Sequence, residues 1–284
     1  WFDRPWVINR LAGGSIETDA SHLGDLAVSV LKGTHGYQRK EVRKLVDWLK
    51  SHVQPELVNL SNMLIGGCIP AIKETLNVPV IVTLQGDDIF LDDLPEPQKS
   101  QAFDEIRKLV SDVDGFIVFS HFYADYMGEY FDIPKEKFRI VPLGIDTRDF
   151  EPEPPTAERL PTVGYLARLA PEKGLHRLVD AFLLLREHHG MDDAHLLIAG
   201  WLGESNKAYA EEQFHRLESA GLAAAFEYVG EVDRKQKLDF LHRIDVLSVP
   251  TVYHEPKGLF ALEALAAGVP VVLPEHGAFP ELIA

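Results

Sequence analysis

The chain runs to 284 residues with a formal net charge of −16, 46% hydrophobic and 25% charged residues, a composition that fits a folded protein of two domains and excludes disorder over its whole length. So acidic a balance argues against a nucleic-acid partner and weakens tight attachment to anionic membranes, while leaving room for peripheral membrane contact and one small cationic site. A single cysteine, Cys68, excludes an internal disulfide and a multi-thiolate zinc site, and no apolar run reaches the roughly 18 residues of a membrane span, so a reducing, cytoplasmic setting is the default expectation.

The opening run WFDRPWVINRLAGG lacks the charged start, apolar stretch and small-residue cleavage site of a signal peptide, and reads like the middle of a domain. From residue 56 onward, short apolar runs alternate with amphipathic stretches: ELVNL (56–60), PVIVTL (79–84), GFIVFS (115–120), FRIVPLG (138–144), TVGYL (162–166), HLLIAG (195–200), FEYVG (226–230), DVLSVP (245–250) and VPVVLP (269–274). Such alternation predicts parallel strands wound with helices on both faces. After Gly174, Leu175, Leu178, Val179, Phe182 and Leu185 recur at three- and four-residue spacing, which predicts a helix with this stripe in the core. Residues 146–161, DTRDFEPEPPTAERLP, are rich in proline and acid without apolar periodicity and predict a linker between an N-terminal domain (1–145) and a C-terminal domain (162–284). The expected architecture is α/β, two Rossmann-like doubly wound domains facing a cleft, with functional groups where strands give way to loops. The chain stops inside a helical pattern, GAFPELIA, so both domains are expected to be incomplete.

Three segments carry candidate chemistry. In VGYLARLAPEKG (163–174), Arg168 and Lys173 flank a tight loop between a strand and a helix, and two cations beside a helix N-terminus suit a diphosphate; the alternative is a pair of solvated surface cations. In LLIAGWLG (196–203), Gly200 ends a strand, as expected at a plain strand-to-helix turn, which is the stronger reading, or where a base or ribose lies against the main chain. In HEPKGLFALEALAAGVPVV (254–272), Glu255 precedes a short apolar helix that carries Glu263, where Gly258 permits close approach and the amides of Leu259 and Phe260 point at an anion or a sugar oxygen. A carboxylate on so apolar a helix needs a hydrogen-bonding partner, either sugar hydroxyls or a basic residue inside the fold.

These runs, with FRIVPLGIDTRDF, YVGEV and the closing PELI, resemble in order and spacing the retaining glycosyltransferases of family 4, which have the GT-B architecture. The resemblance covers residues 56–284 and is strongest after Arg139. It implies a hexosyltransferase-type enzyme with a nucleotide-sugar donor and a glycan, lipid or small-molecule acceptor. Arg168 and Lys173 would contact the donor diphosphate, Glu255 the transferred sugar and Glu263 the ribose, with Gly258 and Leu259 supplying amides. It also implies no obligatory metal and no further cofactor; the acidic pairs Asp87-Asp88, Asp92-Asp93 and Asp192-Asp193 are adjacent and do not form an Asp-x-Asp metal motif, and Asp112 with Asp114 sits just before a strand, where a helix end is expected. Where many members carry a histidine after the second strand, this chain has Gln85, which can orient a ligand by hydrogen bonds but not transfer a proton. Asp87 and His121 are the other acceptor-side candidates; a solvated turn is expected for at least one of Asp87 and Asp88, and a Ser120 helix cap is the alternative at His121. Other readings on the same fold are an epimerase, a phosphorylase, or a non-catalytic protein that binds sugar nucleotides or a partner.

Overall fold

The computed structural model describes residues 20–150, 160–188 and 191–283. The chain divides into two compact units, Trp1–Val141 and Pro142–Ala284.

In the N-terminal unit, four strands, β1 (Val58–Leu60), β2 (Val80–Thr83), β3 (Gly115–Val118) and β4 (Phe138–Ile140), form a parallel sheet in the order β1-β2-β3-β4. Parallel neighbours need a crossover, and the chain supplies helices for it. Before and between the strands run α1 (Ala20–Leu31), α2 (Arg39–Trp48), α3 (Ile69–Leu76), α4 (Asp87–Asp92), α5 (Gln98–Val110) and α6 (His121–Phe131). The helix ends follow local chemistry: Ser120 accepts a hydrogen bond from the Tyr123 amide to start α6, and Asp132 in the left-handed region ends it. Val80, Val82, Phe116 and Val118 point into the core beside Ile72, Ile106 and Phe131, where removing one large side chain costs roughly 3–5 kcal/mol.

In the C-terminal unit, β5 (Thr162–Leu166), β6 (His195–Ala199), β7 (Phe226–Tyr228), β8 (Val246–Ser248) and β9 (Val271–Val272) form a second parallel sheet in the order β7-β6-β5-β8-β9. Its helices are α7 (Leu175–His188), α8 (Lys207–Ser219), α9 (Arg234–His242), α10 (Leu259–Ala266) and α11 (Phe279–Leu282). The predicted stripe on α7 is in the core, with Leu175, Leu178, Val179 and Phe182 all buried. From β5 the chain winds outward through β6 and β7, then returns to the other side of β5 at β8. This reversal between β5 and β8 is the point at which open parallel sheets leave a crevice for a ligand.

All nine apolar runs become strands, and the linker prediction is the part that shifts. The contact boundary falls between Val141 and Pro142, four residues before the predicted domain end. Residues 146–150 pack onto the C-terminal unit: Phe150 is buried in its core, and Arg234 of α9 lies over that ring and binds Asp149 Oδ2 at 2.8 Å. One aromatic residue among the acids is enough to anchor the segment. Residues 151–159 of the predicted linker lie outside the described residues.

Candidate active site

The two loops that leave the carboxyl ends of β5 and β8 are joined side by side. Gly174 has φ +75, and a Cβ there would stand 1.8 Å from the Pro250 carbonyl oxygen, so only glycine lets the β5 loop lie against the β8 loop. The Val252 amide donates to the Glu172 carbonyl at 3.0 Å and adds a backbone tie. This brings Lys173 against the β8 loop. Its Nζ lies 2.6 Å from Glu255 Oε2 and 2.5 Å from the Tyr253 hydroxyl, which itself donates to Glu255 Oε2 at 2.5 Å. The second carboxylate oxygen of Glu255 accepts from the amides of Lys257 and Gly258 at 3.2 and 3.4 Å. The Glu255 backbone is held as well, because its carbonyl accepts from the Ala278 amide at 2.9 Å.

Glu255 is 4% exposed and its pairing decides its charge. Burial pushes its carboxyl up, but the Lys173 charge and the hydrogen bonds from Lys173, Tyr253 and Gly258 outweigh that and hold it below the ordinary value. Burial and the adjoining carboxylate push the Tyr253 hydroxyl up, so it remains a proton donor. Immediately beyond, Gly258 at φ +64 opens α10 without a side-chain cap, leaving the first-turn amides of Leu259 and Phe260 uncapped by any side chain. Gly258 is constrained from behind, since a Cβ would approach Leu282 and Phe279 at 2.9 and 3.1 Å.

The other charged candidates of the C-terminal unit, Glu263 and Arg168, also have partners of opposite sign. Glu263 pairs with Lys237 of α9 at 2.5 Å, both half-buried, so the charge on this apolar helix is met from inside the fold. Arg168 is exposed and pairs with Glu172 at 2.7 Å across one helical-type turn. The expectation of solvated surface cations therefore describes Arg168 and not Lys173. Gly200 has φ +145, and a Cβ on it would meet the Ala167 carbonyl oxygen at 1.8 Å; the close approach that demands glycine is to the chain itself.

On the N-terminal unit, the candidates sit at the carboxyl ends of β2 and β3 but do different work. Asp87 and Asp88 are 1% and 5% exposed, which corrects the expectation of a solvated turn for one of them. Asp87 accepts from the Met63 amide at 2.5 Å and the Gln85 amide at 3.3 Å, tying the loop after β1 to the loop after β2. Tyr123 donates to Asp88 Oδ1 at 2.7 Å and accepts from the Gly86 amide at 2.8 Å. Asp88 thus pins α4 to α6 while Asp87 joins the two loops, a long-range arrangement invisible in a two-residue motif. Gln85 donates to the Ser61 carbonyl at 2.8 Å, and His121 stands exposed at the first position of α6, directly after the Ser120 cap.

Residues 146–284 match the family described as glycosyl transferases group 1, and residues 16–149 match glycosyltransferase family 4. The chain belongs to the family 4 glycosyltransferases. The glycogen synthase of Mycobacterium tuberculosis is 28% identical over 237 residues, 81% of this chain and 54% of that protein. The lipopolysaccharide core biosynthesis mannosyltransferase LpsB of Rhizobium meliloti is 31% identical over 163 residues, 54% of this chain and 44% of that protein. The chain thus spans about half the length of these relatives. Among solved structures, HepE of Anabaena in complex with UDP superposes with a TM-score of 0.73 at 18% identity, covering 89% of this chain and 68% of that one. A sucrose-phosphate synthase from Thermosynechococcus elongatus gives 0.68 at 20% identity over 89% of this chain and 66% of that one. The fold is GT-B, with a Rossmann-like sheet in each unit of this family 4 chain.

Two participants in the site were not singled out from the sequence. Tyr253 lies two residues before Glu255 in the bent loop after β8, where no periodicity marks it. Lys237 lies 26 residues before Glu263 on another helix, and no local pattern in this family 4 chain pairs them.

Proposed function

We propose that the full-length protein is a retaining glycosyltransferase that moves a sugar from a nucleoside-diphosphate sugar to a hydroxyl of its acceptor. The observation that carries this reading is the buried Lys173–Tyr253–Glu255 cluster at the β5/β8 reversal, directly before the uncapped start of α10. The complexes of HepE with UDP and with UDP-glucose support a uridine-type donor by analogy of fold. In this reading Lys173 and Arg168 offset the charge that develops on the leaving diphosphate. The amides of Leu259 and Phe260 take phosphate or sugar oxygens, Glu255 accepts from sugar hydroxyls, and Glu263 accepts from the ribose. The acceptor oxygen bonds to the anomeric carbon as the bond to the diphosphate breaks on the same face, and the acceptor's proton passes to a diphosphate oxygen. No side chain is needed as a nucleophile. Gln85 and His121 line the acceptor side, whereas Asp87 positions the loop that carries Gln85, and Asp88, through Tyr123, positions the helix that carries His121. A reducing, cytoplasmic location suits Cys68, whose thiol is buried and pushed up by burial, away from the reactive thiolate.

The test is calorimetry on the full-length protein with UDP-glucose and related nucleotide sugars. Glu263→Ala should weaken donor binding at least about tenfold, the loss expected for a charge-assisted hydrogen-bond pair. Unchanged affinity would sink the assignment. Nucleotide release that requires an acceptor, with the product's anomeric configuration the same as the donor's by NMR, separates retaining transfer from inversion and from hydrolysis.

A further inference from the structure

The C-terminal unit has a second recess, at the end of its sheet away from the candidate active site. Thr162, His195 and Phe226 are the first residues of β5, β6 and β7, and with Leu160, Ala224 and Arg243 they line a cavity of about 530 Å³. That volume is in the range of small-molecule sites, roughly 300–1,000 Å³. β5 spans five residues, so the cavity and the loop that carries Arg168 stand roughly 17 Å apart along one strand. In a wound sheet ligands usually sit at the carboxyl ends of the strands, where helix N-termini meet their charge. Neither aid exists at the amino ends, where α9 finishes at His242 with its weakly negative end. A ligand here has to be held by side chains.

Those side chains divide by chemistry. Leu160 is 45% exposed, and the half-buried Phe226 is braced by Phe214, with ring centroids 5.7 Å apart, so the cavity has an apolar wall that water can reach. Beside that wall are hydrogen-bond donors in excess of acceptors. Arg243 ends α9 and gives one N–H, at Nη2, to Glu227 Oε2 at 2.6 Å, and Glu227 is the only acid among the lining residues. The other N–H groups of this guanidinium fork have no partner among the described residues. The two side chains of the pair are 53% and 57% exposed; such pairs hold weakly, and an incoming anion can share the guanidinium at little cost. The imidazole of His195, half-buried in the same recess, has no hydrogen-bonding partner among the described residues.

We propose that this recess binds a small organic anion with an apolar body: the acidic head meets Arg243 and His195, and the body lies against Leu160 and Phe226. The apolar wall supplies affinity, and the donors select an acidic head over a neutral one. The proposal stands independently of the transfer reading, because it concerns the opposite end of the sheet and another ligand. With the two sites at the two ends of β5, this anion and a nucleoside diphosphate bind together and do not compete.

The probe that tests it is 8-anilinonaphthalene-1-sulfonate, aromatic rings with a sulfonate head, titrated into the folded full-length protein and read by its fluorescence. Saturable binding that excess UDP does not displace is expected. N-phenyl-1-naphthylamine, the same rings without the sulfonate, should bind at least about tenfold less tightly. Arg243→Ala should weaken binding of the sulfonate about tenfold and His195→Ala several-fold. Ala224→Trp, at an exposed position, should fill the cavity and remove the signal at an unchanged melting temperature. Arg39→Ala, at a recess of the N-terminal unit, should leave it unaltered. If Ala224→Trp does lower the melting temperature, Arg243→Ala still decides, since it breaks only an exposed pair. No saturable binding, displacement by UDP, equal binding of the neutral probe, equal binding by Arg243→Ala, or loss on Arg39→Ala each overturns the proposal.

Discussion

At the scale of single residues, the site rests on opposite charges brought close by folding. Lys173 and Glu255 have side chains only 15% and 6% exposed, so removing the cation strands a buried carboxylate. Lys173→Met is expected to cost about 3 kcal/mol in chemical denaturation, far more than the loss of a surface pair. The pH dependence should change sign with it. In the native protein Glu255 lies below its ordinary value, so its contribution to stability is complete above that value and is lost as pH falls through the lower folded value. Without Lys173, burial raises the carboxyl, and its contribution is lost as pH rises through the new value. Asp87 already behaves in the second way: burial, aided by the neighbouring Asp88 charge, pushes it up to about 6. Its contribution is complete below its unfolded value and falls as pH rises through about 6, by roughly 3 kcal/mol at neutral pH. Asp87→Asn should flatten this part of the stability profile, and an unchanged slope between acid and neutral pH would refute the assignment. Lys173, Glu255 and Glu263 were legible as candidates because their neighbours are glycines and apolar helix residues. Their partners were not, because Lys237 meets Glu263, and Lys173 meets Tyr253, only through the packing of separate elements.

At the scale of elements, strands could be read and contacts between loops could not. The runs from ELVNL to VPVVLP are short, rich in apolar residues and bounded by turn residues, and each became a strand of a wound parallel sheet; the edge strands β1, β4, β7 and β9 keep Asn59, Arg139, Glu227 and Val272 exposed. What joins the β5 and β8 loops is the absence of a Cβ at Gly174, which a sequence presents as an ordinary helix-opening glycine. Gly174→Ala is expected to lower stability by more than about 2 kcal/mol, through both backbone strain and the clash with Pro250, and to weaken donor binding by displacing Lys173. Gly144→Ala meets nothing within 4 Å and serves as the control, with stability within about 0.5 kcal/mol of the parent. Equal melting temperatures for the two variants would contradict the close packing described here. The domain boundary moved for a similar reason: Phe150 finds a core that the surrounding acids and prolines did not announce.

At the scale of the whole molecule, two separate cores give two places for a ligand to act. A nucleoside diphosphate at about a hundred times its dissociation constant should stabilise the C-terminal unit by about 2.7 kcal/mol, seen as slowed hydrogen exchange in β5, β8 and α10 with the N-terminal core unchanged. Slowed exchange confined to the N-terminal unit would move the donor site. EDTA is expected to leave turnover of the full-length protein unaltered, and strict dependence on a divalent ion would overturn the metal-independent reading.

The Lys173–Glu255 pair also sets the proton balance of ligand capture. A diphosphate entering beside this cation has to share it with a carboxylate that already depends on it. As phosphate oxygens draw the ammonium away, Glu255 loses part of what keeps it ionised and its affinity for hydrogen ions rises. Donor binding in mildly acid solution should then be accompanied by fractional proton uptake, so the measured heat will vary linearly with the ionisation enthalpy of the buffer. Replacing Glu255 by Gln removes that slope.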